Sequence, residues 1–364
     1  MILAYCIHSL HSSGGMERVL SMKASYLADL PLYEVHIITA CLKGRKPFFP
    51  LSDKVILHDL GVSDHGAGKK YKKRLEDYLK QIKADICVSL CGGEVHILKD
   101  LKDGSHKVAE FHFSHDKYYL KYGRTALGRW YAGLRTRKLE RSISKLDAMV
   151  VLTEEDSIAW YGVLYKVFQI YNPLTFKPEK KSELENKRFI AVGRLEPQKN
   201  YPDMIRAWAM VAEKYPDWHL DIFGSGSQEK KLRRLIDSLG LGSCVHLMGR
   251  TEDIQSEMLN SSGLLLSSRF EGFPMVLLEA QAAGLPIVSY SCPCGPAEIV
   301  EDGKSGFLVP AGNVKGLSEG VCKLIGSPKM MYDFGEASFA AAKRFDKDYI
   351  MNLWDAFFRI IICS

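Results

Sequence analysis

RFIAVGRLEPQKN, residues 188–200, decides the fold. Six residues form a largely apolar run of strand length ending on Gly193, and a Pro-bearing loop with Arg194 and Lys199 follows at once. Before it lie Asn172-Pro173 and a polar, Lys/Glu-rich stretch from Lys177 to Lys187, the best candidate linker in the chain. After it come similar runs at 219–224, 244–249, 263–268, 285–290 and 306–310, with helical spacing in the gaps. Upstream the same alternation runs through 2–8, 34–40, 54–60, 85–90, 107–113 and 147–152, with helix-length stretches such as Met16 to Ala28. Near-continuous apolar runs suit strands covered on both faces. Strand and helix in alternation predict open parallel sheets. The fold expected is therefore α/β, with two Rossmann-like, doubly wound domains and a cleft between them. The domains are placed at 1–172 and 173–345. A terminal helix at 346–364 packs back on the first domain through Leu353, Trp354, Phe357, Phe358 and Ile361.

The totals agree. At 364 residues the chain exceeds one ordinary core. Hydrophobic residues at 46% and charged residues at 25% exclude a disordered chain. The net charge of +6 is uneven: residues 1–172 hold 26 Lys and Arg against 19 Asp and Glu, so the front half carries all the excess. That half suits an anionic partner, or is simply a solvated basic face. The nine cysteines are scattered without metal-site spacing, and reduced thiols in a cytoplasmic protein account for them. MILAYCIHSL has no basic n-region and reads as a strand rather than a signal peptide, and no apolar run reaches the ~18 residues of a membrane span.

The loops after the strands carry the chemistry, since ligands of such sheets gather at strand carboxyl ends. Gly14 and Gly15 sit between strand and helix, which suits an anion at a helix start or equally a tight βα turn. Arg194 and Lys199 can clamp a diphosphate, the one as a planar fork and the other as a point charge, or lie on a solvated loop. FGSGSQE (223–229) offers Gly224 and Gly226, but Glu229 occupies the third glycine position of a dinucleotide fingerprint. In FEGFPMVLLEAQAAGLPIVSY (270–290), Pro274 opens a helix over Met275 to Ala283 that ends at Gly284. Glu271 projects from the loop before it. Glu279, inside an apolar run, is either a solvent-facing helical residue or a buried carboxylate that needs hydroxyl or backbone partners. EFHFSH (110–115) places His112 and His115 at a strand end. Asp346-Lys347-Asp348, the one Asp-x-Asp, reads as a helix cap and first-turn acid, so no metal is expected.

These residues resemble the retaining glycosyltransferase family 4, whose fold is GT-B. Glu271 and Glu279 reproduce its E-x7-E motif, in the form E-G-F-P-x-x-x-x-E-A. Gly14-Gly15, Gly193-Arg194-Leu195 with Lys199-Asn200, Gly295 to Val300 and Gly303 to Val309 fall where the family has its motifs. The resemblance implies a retaining, metal-independent hexosyltransferase with no cofactor. Its donor is a nucleotide-diphosphate sugar, UDP-sugar favoured, bound by the second domain. Arg194 and Lys199 neutralise the leaving group, Glu279 holds ribose hydroxyls and Glu271 the sugar ring. Gly15 lets the first domain approach the diphosphate. His112 lies near the reacting sugar, in a motif that varies across the family. Gly224, Gly226 and Met248 to Arg250 line the base. Gly14, Gly193, Gly272, Phe273, Pro274 and Met275 complete the donor site.

The acceptor expected is a saccharide or a lipid-linked one, in capsule, O-antigen or lipopolysaccharide synthesis. KYGRTALGRWYAGLRTRKLERSISK (121–145) has eight basic residues and one acidic residue among Trp130, Tyr131, Leu127 and Leu134. Together with KKYKKRLEDYLKQIK (69–83) it suits an anionic membrane surface at the cytoplasmic face, or plain surface charge. Nucleic acid fits poorly, because no base-reading motif accompanies the charge. A nicotinamide-dependent oxidoreductase and a non-catalytic nucleotide-sugar binding protein are the rival readings.

Overall fold

The computed structural model describes residues 1–62, 68–123, 125–176 and 180–363. Arg124 of the basic stretch and residues 177–179 of the candidate linker lie outside them. The chain divides into two compact units: Met1–Thr175 with Lys347–Ser364, and Phe176–Asp346.

Unit 1 runs β1 (Ile2–Ile7), α1 (Gly15–Asp29), β2 (Glu34–Thr39), β3 (Ile56–Asp59), α2 (Lys69–Ile82), β4 (Ile86–Ser89), α3 (Val95–Leu98), β5 (His106–Phe111), α4 (Lys117–Tyr122), α5 (Ala126–Ile143), β6 (Ala148–Val151), α6 (Glu154–Tyr161) and β7 (Val167–Gln169). Its seven strands are parallel, in the order β3-β2-β1-β4-β5-β6-β7. Every residue of β4 and β6 is buried, as two-sided cover requires. β5 ends at Phe111, short of the expected 113, and His112 falls in the loop beyond. β7, a three-residue edge strand, lies outside the six expected runs.

Unit 2 runs β8 (Arg188–Val192), α7 (Tyr201–Ala212), β9 (His219–Phe223), α8 (Glu229–Ser238), β10 (Val245–Gly249), α9 (Ile254–Leu259), β11 (Gly263–Leu266), α10 (Met275–Ala282), β12 (Ile287–Ser291), α11 (Pro296–Ile299), β13 (Gly306–Pro310), α12 (Val314–Ile325) and α13 (Pro328–Ala341), then a 3-10 turn at Ala342–Phe345. The parallel order is β10-β9-β8-β11-β12-β13. Part of the polar stretch before β8 is packed on this unit. Ser182 is buried, its N–H donates to the Ala283 carbonyl at 2.8 Å, and its hydroxyl donates to the Ser261 carbonyl at 2.6 Å.

After unit 2 the chain returns to unit 1 as α14 (Lys347–Ile362). Ile350, Met351, Trp354, Phe357, Phe358 and Ile361 recur at helical spacing and are buried in the core of unit 1, beside Leu20, Leu27 and Val35. Asp348 sits in the first turn of α14, where an acid favours the helix dipole.

In each sheet the strand order reverses once, between β1 and β4 and between β8 and β11. The loops that leave those strands flank the place where a doubly wound sheet opens to a ligand.

Candidate active site

In unit 2 the reversal is flanked by the loops after β8 and β11. They carry Arg194 and Lys199 on one side and Glu271 on the other. Lys199 Nζ donates to Glu271 Oε1 at 2.7 Å, and both side chains are largely withdrawn from solvent. The pairing is held by the backbone beneath it. Ser267 Oγ donates to the carbonyls of Lys199 and Asn200 at 2.9 and 3.1 Å. Gln198 Nε2 donates to the Phe270 carbonyl at 2.9 Å, and the Arg269 N–H donates to the Gln198 carbonyl at 2.9 Å. Arg269 Nη2 reaches Asn200 Oδ1 at 3.2 Å. Asn200 adopts φ 52°, a left-handed conformation that asparagine tolerates, and so turns the loop into α7.

The loop after β9 is locked against the loop after β8. Gly193 N–H donates to the Phe223 carbonyl, Leu195 N–H to the Ser225 carbonyl and Gln228 N–H to the Leu195 carbonyl. The contact needs glycine. A Cβ on Gly224, where φ is +142°, would collide with the Gly193 carbonyl oxygen, and one on Gly226 would lie 2.6 Å from the Leu195 oxygen. These glycines therefore serve loop packing directly. Arg250 Nε donates to Ser225 Oγ at 2.7 Å, which ties the loop after β10 to the same rim, and Met248 is half exposed on β10. Arg194 is exposed. Its neighbour Glu196 is held below the usual carboxylate range, first by the Ser227 N–H and hydroxyl hydrogen bonds and then, against a small burial effect, by Arg194.

Glu271 is followed by Gly272, Phe273 and Pro274, and Met275 begins α10. The helix is buried from Val276 through Ala282, so Glu279 is a buried carboxylate at 4% exposure and the solvent-facing alternative falls. The helix ends at Gly284, with φ +72°. The structure thus brings Lys199 and Glu271 into contact. Gly193, Arg194, Gly224, Gly226 and Arg250 lie on loops at the same strand ends, and Glu279 is buried on the helix that follows.

Unit 1 places Gly14 as the N-cap of α1 and Gly15 as its first residue. The Glu17 carboxylate folds back to the Ser12 hydroxyl and fills the space where a Gly14 Cβ would stand. An anion from the chain itself therefore lies beside this helix start.

His112 Nε2 donates to Glu110 Oε1 at 2.9 Å, and the Glu110 carboxylate also accepts from Lys23 Nζ. Glu110 and Lys23 are 1% and 0% exposed. Lys23 Nζ lies 3.7 Å from the Trp354 ring centroid, so α14 covers the ammonium with an aromatic face. Burial alone would raise Glu110. The Lys23 charge and the His112 and Lys23 hydrogen bonds outweigh it and hold the carboxyl at about 2. At Lys23 burial outweighs the attraction of Glu110, so its ammonium is held below the ordinary lysine value. His115 is engaged elsewhere: its ring bonds Glu140 at 3.1 Å and Asp116 at 3.2 Å and packs on Trp160.

Sequence reasoning passed over Lys23 and Glu110. The signals were present, since Lys23 stands between Val19 and Leu27 on the apolar face of α1, and Glu110 inside a buried strand. It also passed over Glu94, in the loop after β4. This carboxylate is 2% exposed, accepts from Ser89 Oγ at 2.9 Å and the Gly92 N–H at 2.8 Å, and is raised by burial.

Residues 174–340 match the model of the family described as glycosyl transferases group 1. The chain is 29% identical over 358 residues to an uncharacterized glycosyltransferase of Haemophilus influenzae, covering 97% of this chain and 98% of that protein. It is 25% identical to the amylovoran biosynthesis glycosyltransferase AmsD of Erwinia amylovora, covering 97% and 98%. The crystal structure of Anabaena Alr3699/HepE in complex with UDP superposes with a TM-score of 0.77 at 17% identity, over 98% of this chain and 99% of that one. The match at 174–340 spans the strand ends that hold Arg194, Lys199 and Glu271 and the helix that holds Glu279, and the likeness in architecture spans both units. On these grounds residues 174–340 match the glycosyl transferases group 1 family, the chain along its length resembles glycosyltransferases, and the fold is GT-B.

Proposed function

We propose that the protein is a retaining glycosyltransferase that moves a hexose from a UDP-sugar to a saccharide or lipid-linked acceptor in cell-surface polysaccharide synthesis, with no metal and no cofactor. In this reading the donor-binding domain is 173–345 and the acceptor-binding domain is 1–172 with the helix of 346–364. The observation that carries it is the Lys199–Glu271 contact at the strand reversal, 2.7 Å long and held by the backbone of both loops. The Anabaena neighbour, solved with UDP, supports the base, and the Erwinia relative, named for amylovoran synthesis, supports the acceptor class.

The bond between the sugar C1 and the diphosphate oxygen breaks, and UDP departs with the bonding pair. The acceptor oxygen bonds to C1 on the face that UDP leaves, and its proton passes to the departing oxygen or to solvent. Charge builds on the diphosphate as it leaves. Arg194 and Lys199 oppose that charge, Lys199 from a position fixed by Glu271, and one such group is worth ~3 kcal/mol. Glu271 grips sugar hydroxyls while it positions Lys199, and Glu279 takes the ribose. Gly193, Gly224, Gly226, Met248, Arg250 and residues 272–275 form the rest of the nucleotide site, with Gly14 and Gly15 serving the diphosphate. His112, oriented by Glu110, faces the reacting sugar. The protein works in the cytoplasm, with the basic stretch 121–145 against the anionic inner face of the membrane.

A panel of UDP-, GDP- and ADP-sugars, assayed for nucleotide release with and without acceptor, tests the reading. Turnover of a UDP-sugar with retained anomeric configuration is expected, undiminished by chelator. Binding without turnover, or turnover of a nicotinamide cofactor instead, overturns it.

A further inference from the structure

Part of the basic stretch 121–145 lines a concavity in unit 1, away from the donor-site residues. A cavity of about 310 Å³ is lined by His96, Lys99, Leu134, Arg137, Lys138, Arg141 and Ser142, between α3 and α5. That size is at the lower end of small-molecule sites, roughly 300–1,000 Å³. Arg137, Lys138 and Arg141 are exposed and, among the described residues, have no carboxylate partner. Lys99 has only the distant Asp100, at 3.9 Å. Four cations thus share one small concavity with little compensating charge.

We propose that this cavity is a binding site for a phosphate ester group. Arginine forks and lysine ammonium groups match phosphate oxygens, and four of them exceed the charge of a carboxylate. His96 and Ser142 form a hydrogen-bonded pair in the lining. Ser142 Oγ uses its hydrogen on the Lys138 carbonyl at 3.0 Å, so the 2.9 Å contact with His96 is donated by His96 Nδ1–H. A neutral His96 ring therefore leaves Nε2 as an acceptor, able to receive the hydroxyl of a phosphate monoanion or to take up a proton as a dianion docks. Burial, followed by the positive charges of Lys138 and Arg135 on α5, Lys117 on α4 and Lys99 beside α3, holds His96 at about 4. A bound anion would offset that repulsion and raise it. The phosphate comes from a membrane lipid headgroup or from a soluble ester such as the phosphate of an acceptor. The inference stands without the glycosyl-transfer reading.

The test uses the full chain with two kinds of probe: inorganic phosphate and glycerol 3-phosphate in solution, and vesicles of phosphatidylglycerol in phosphatidylcholine. The variants are Arg137→Glu with Arg141→Glu, and Lys166→Glu as the control, an exposed cation of unit 1 outside both basic stretches that does not line the cavity. Saturable binding is expected, falling about tenfold or more in the double variant and unchanged in the control. The His96 ring signals should titrate at higher pH with phosphate bound. Binding of the soluble esters assigns the site to a soluble phosphate, and selective loss of vesicle binding alone assigns it to the headgroup. Absence of saturable binding to every probe, or equal loss in the control, overturns the proposal. Nucleotide release from UDP-sugars is measured separately, so failure here leaves the donor reading intact, and the reverse.

Discussion

Lys199 and Glu271 stand 72 positions apart in sequence and 2.7 Å apart in space. Each loop is pinned by hydrogen bonds to the other, so the ammonium and carboxylate meet without long side chains having to find one another in solvent. Little ordering is then left for the moment a substrate binds. Replacing Lys199 by Ala should lower turnover of a UDP-sugar by ~100-fold or more, and Arg194→Ala should do the same. Steady-state kinetics decide it, and near-normal turnover in either variant removes that cation from the clamp.

Two glycines that look alike in sequence should respond differently to alanine. At Gly224 the added Cβ meets the Gly193 backbone and the residue must hold φ +142°, so Gly224→Ala should cost more than ~1 kcal/mol. At Gly14 the obstacle is the flexible end of Glu17, which can swing away. Thermal melts should show a drop of several degrees for the first variant and little change for the second.

Glu110 links His112 to Lys23, and its depressed pKa fixes the sign of a pH effect. Its ordinary value is 4.5 and its folded value about 2, so the carboxylate's contribution to stability is full above 4.5 and is lost as pH falls from 4.5 through about 2. Urea unfolding of the wild type and Glu110→Gln across that range should converge at the acid end. At neutral pH the variant leaves the Lys23 ammonium buried without its partner, at a cost of roughly 3–5 kcal/mol. A difference that stays constant with pH would contradict this assignment.

Trp354 is 2% exposed and covers Lys23, so Trp354→Ala should cost ~3–5 kcal/mol, with Trp354→Phe losing much less. Hydrogen exchange should show the loss in unit 1, in α1 and β1, and leave β8 and β9 as protected as before. Equal loosening of both units would show that α14 does not act through the core it is buried in.

The sheets were legible because strands such as β4 and β6 are buried on both faces and write themselves as unbroken apolar runs. β7 was not, being three residues long and partly exposed at a sheet edge. The donor-side loops could be found because glycine, proline and paired charges at strand ends mark backbone that must approach something closely. What could not be read was which of those groups would meet. The Lys199–Glu271 and Lys23–Glu110 contacts depend on strand order and on loops crossing from distant parts of the chain. Lys23 and Glu110 each broke an apolar pattern, and two such breaks of opposite sign are a pairing signal that spacing alone does not convey.

The helix α14 completes the core of unit 1 although the ribosome makes it after the whole of unit 2. At ordinary translation speeds, unit 1 spends on the order of ten seconds or more with Leu20, Leu27 and Val35 lacking the covering that Trp354 and Phe358 bring. A nascent chain halted before Lys347 would expose that patch to chaperones, while one halted after Ile362 would not.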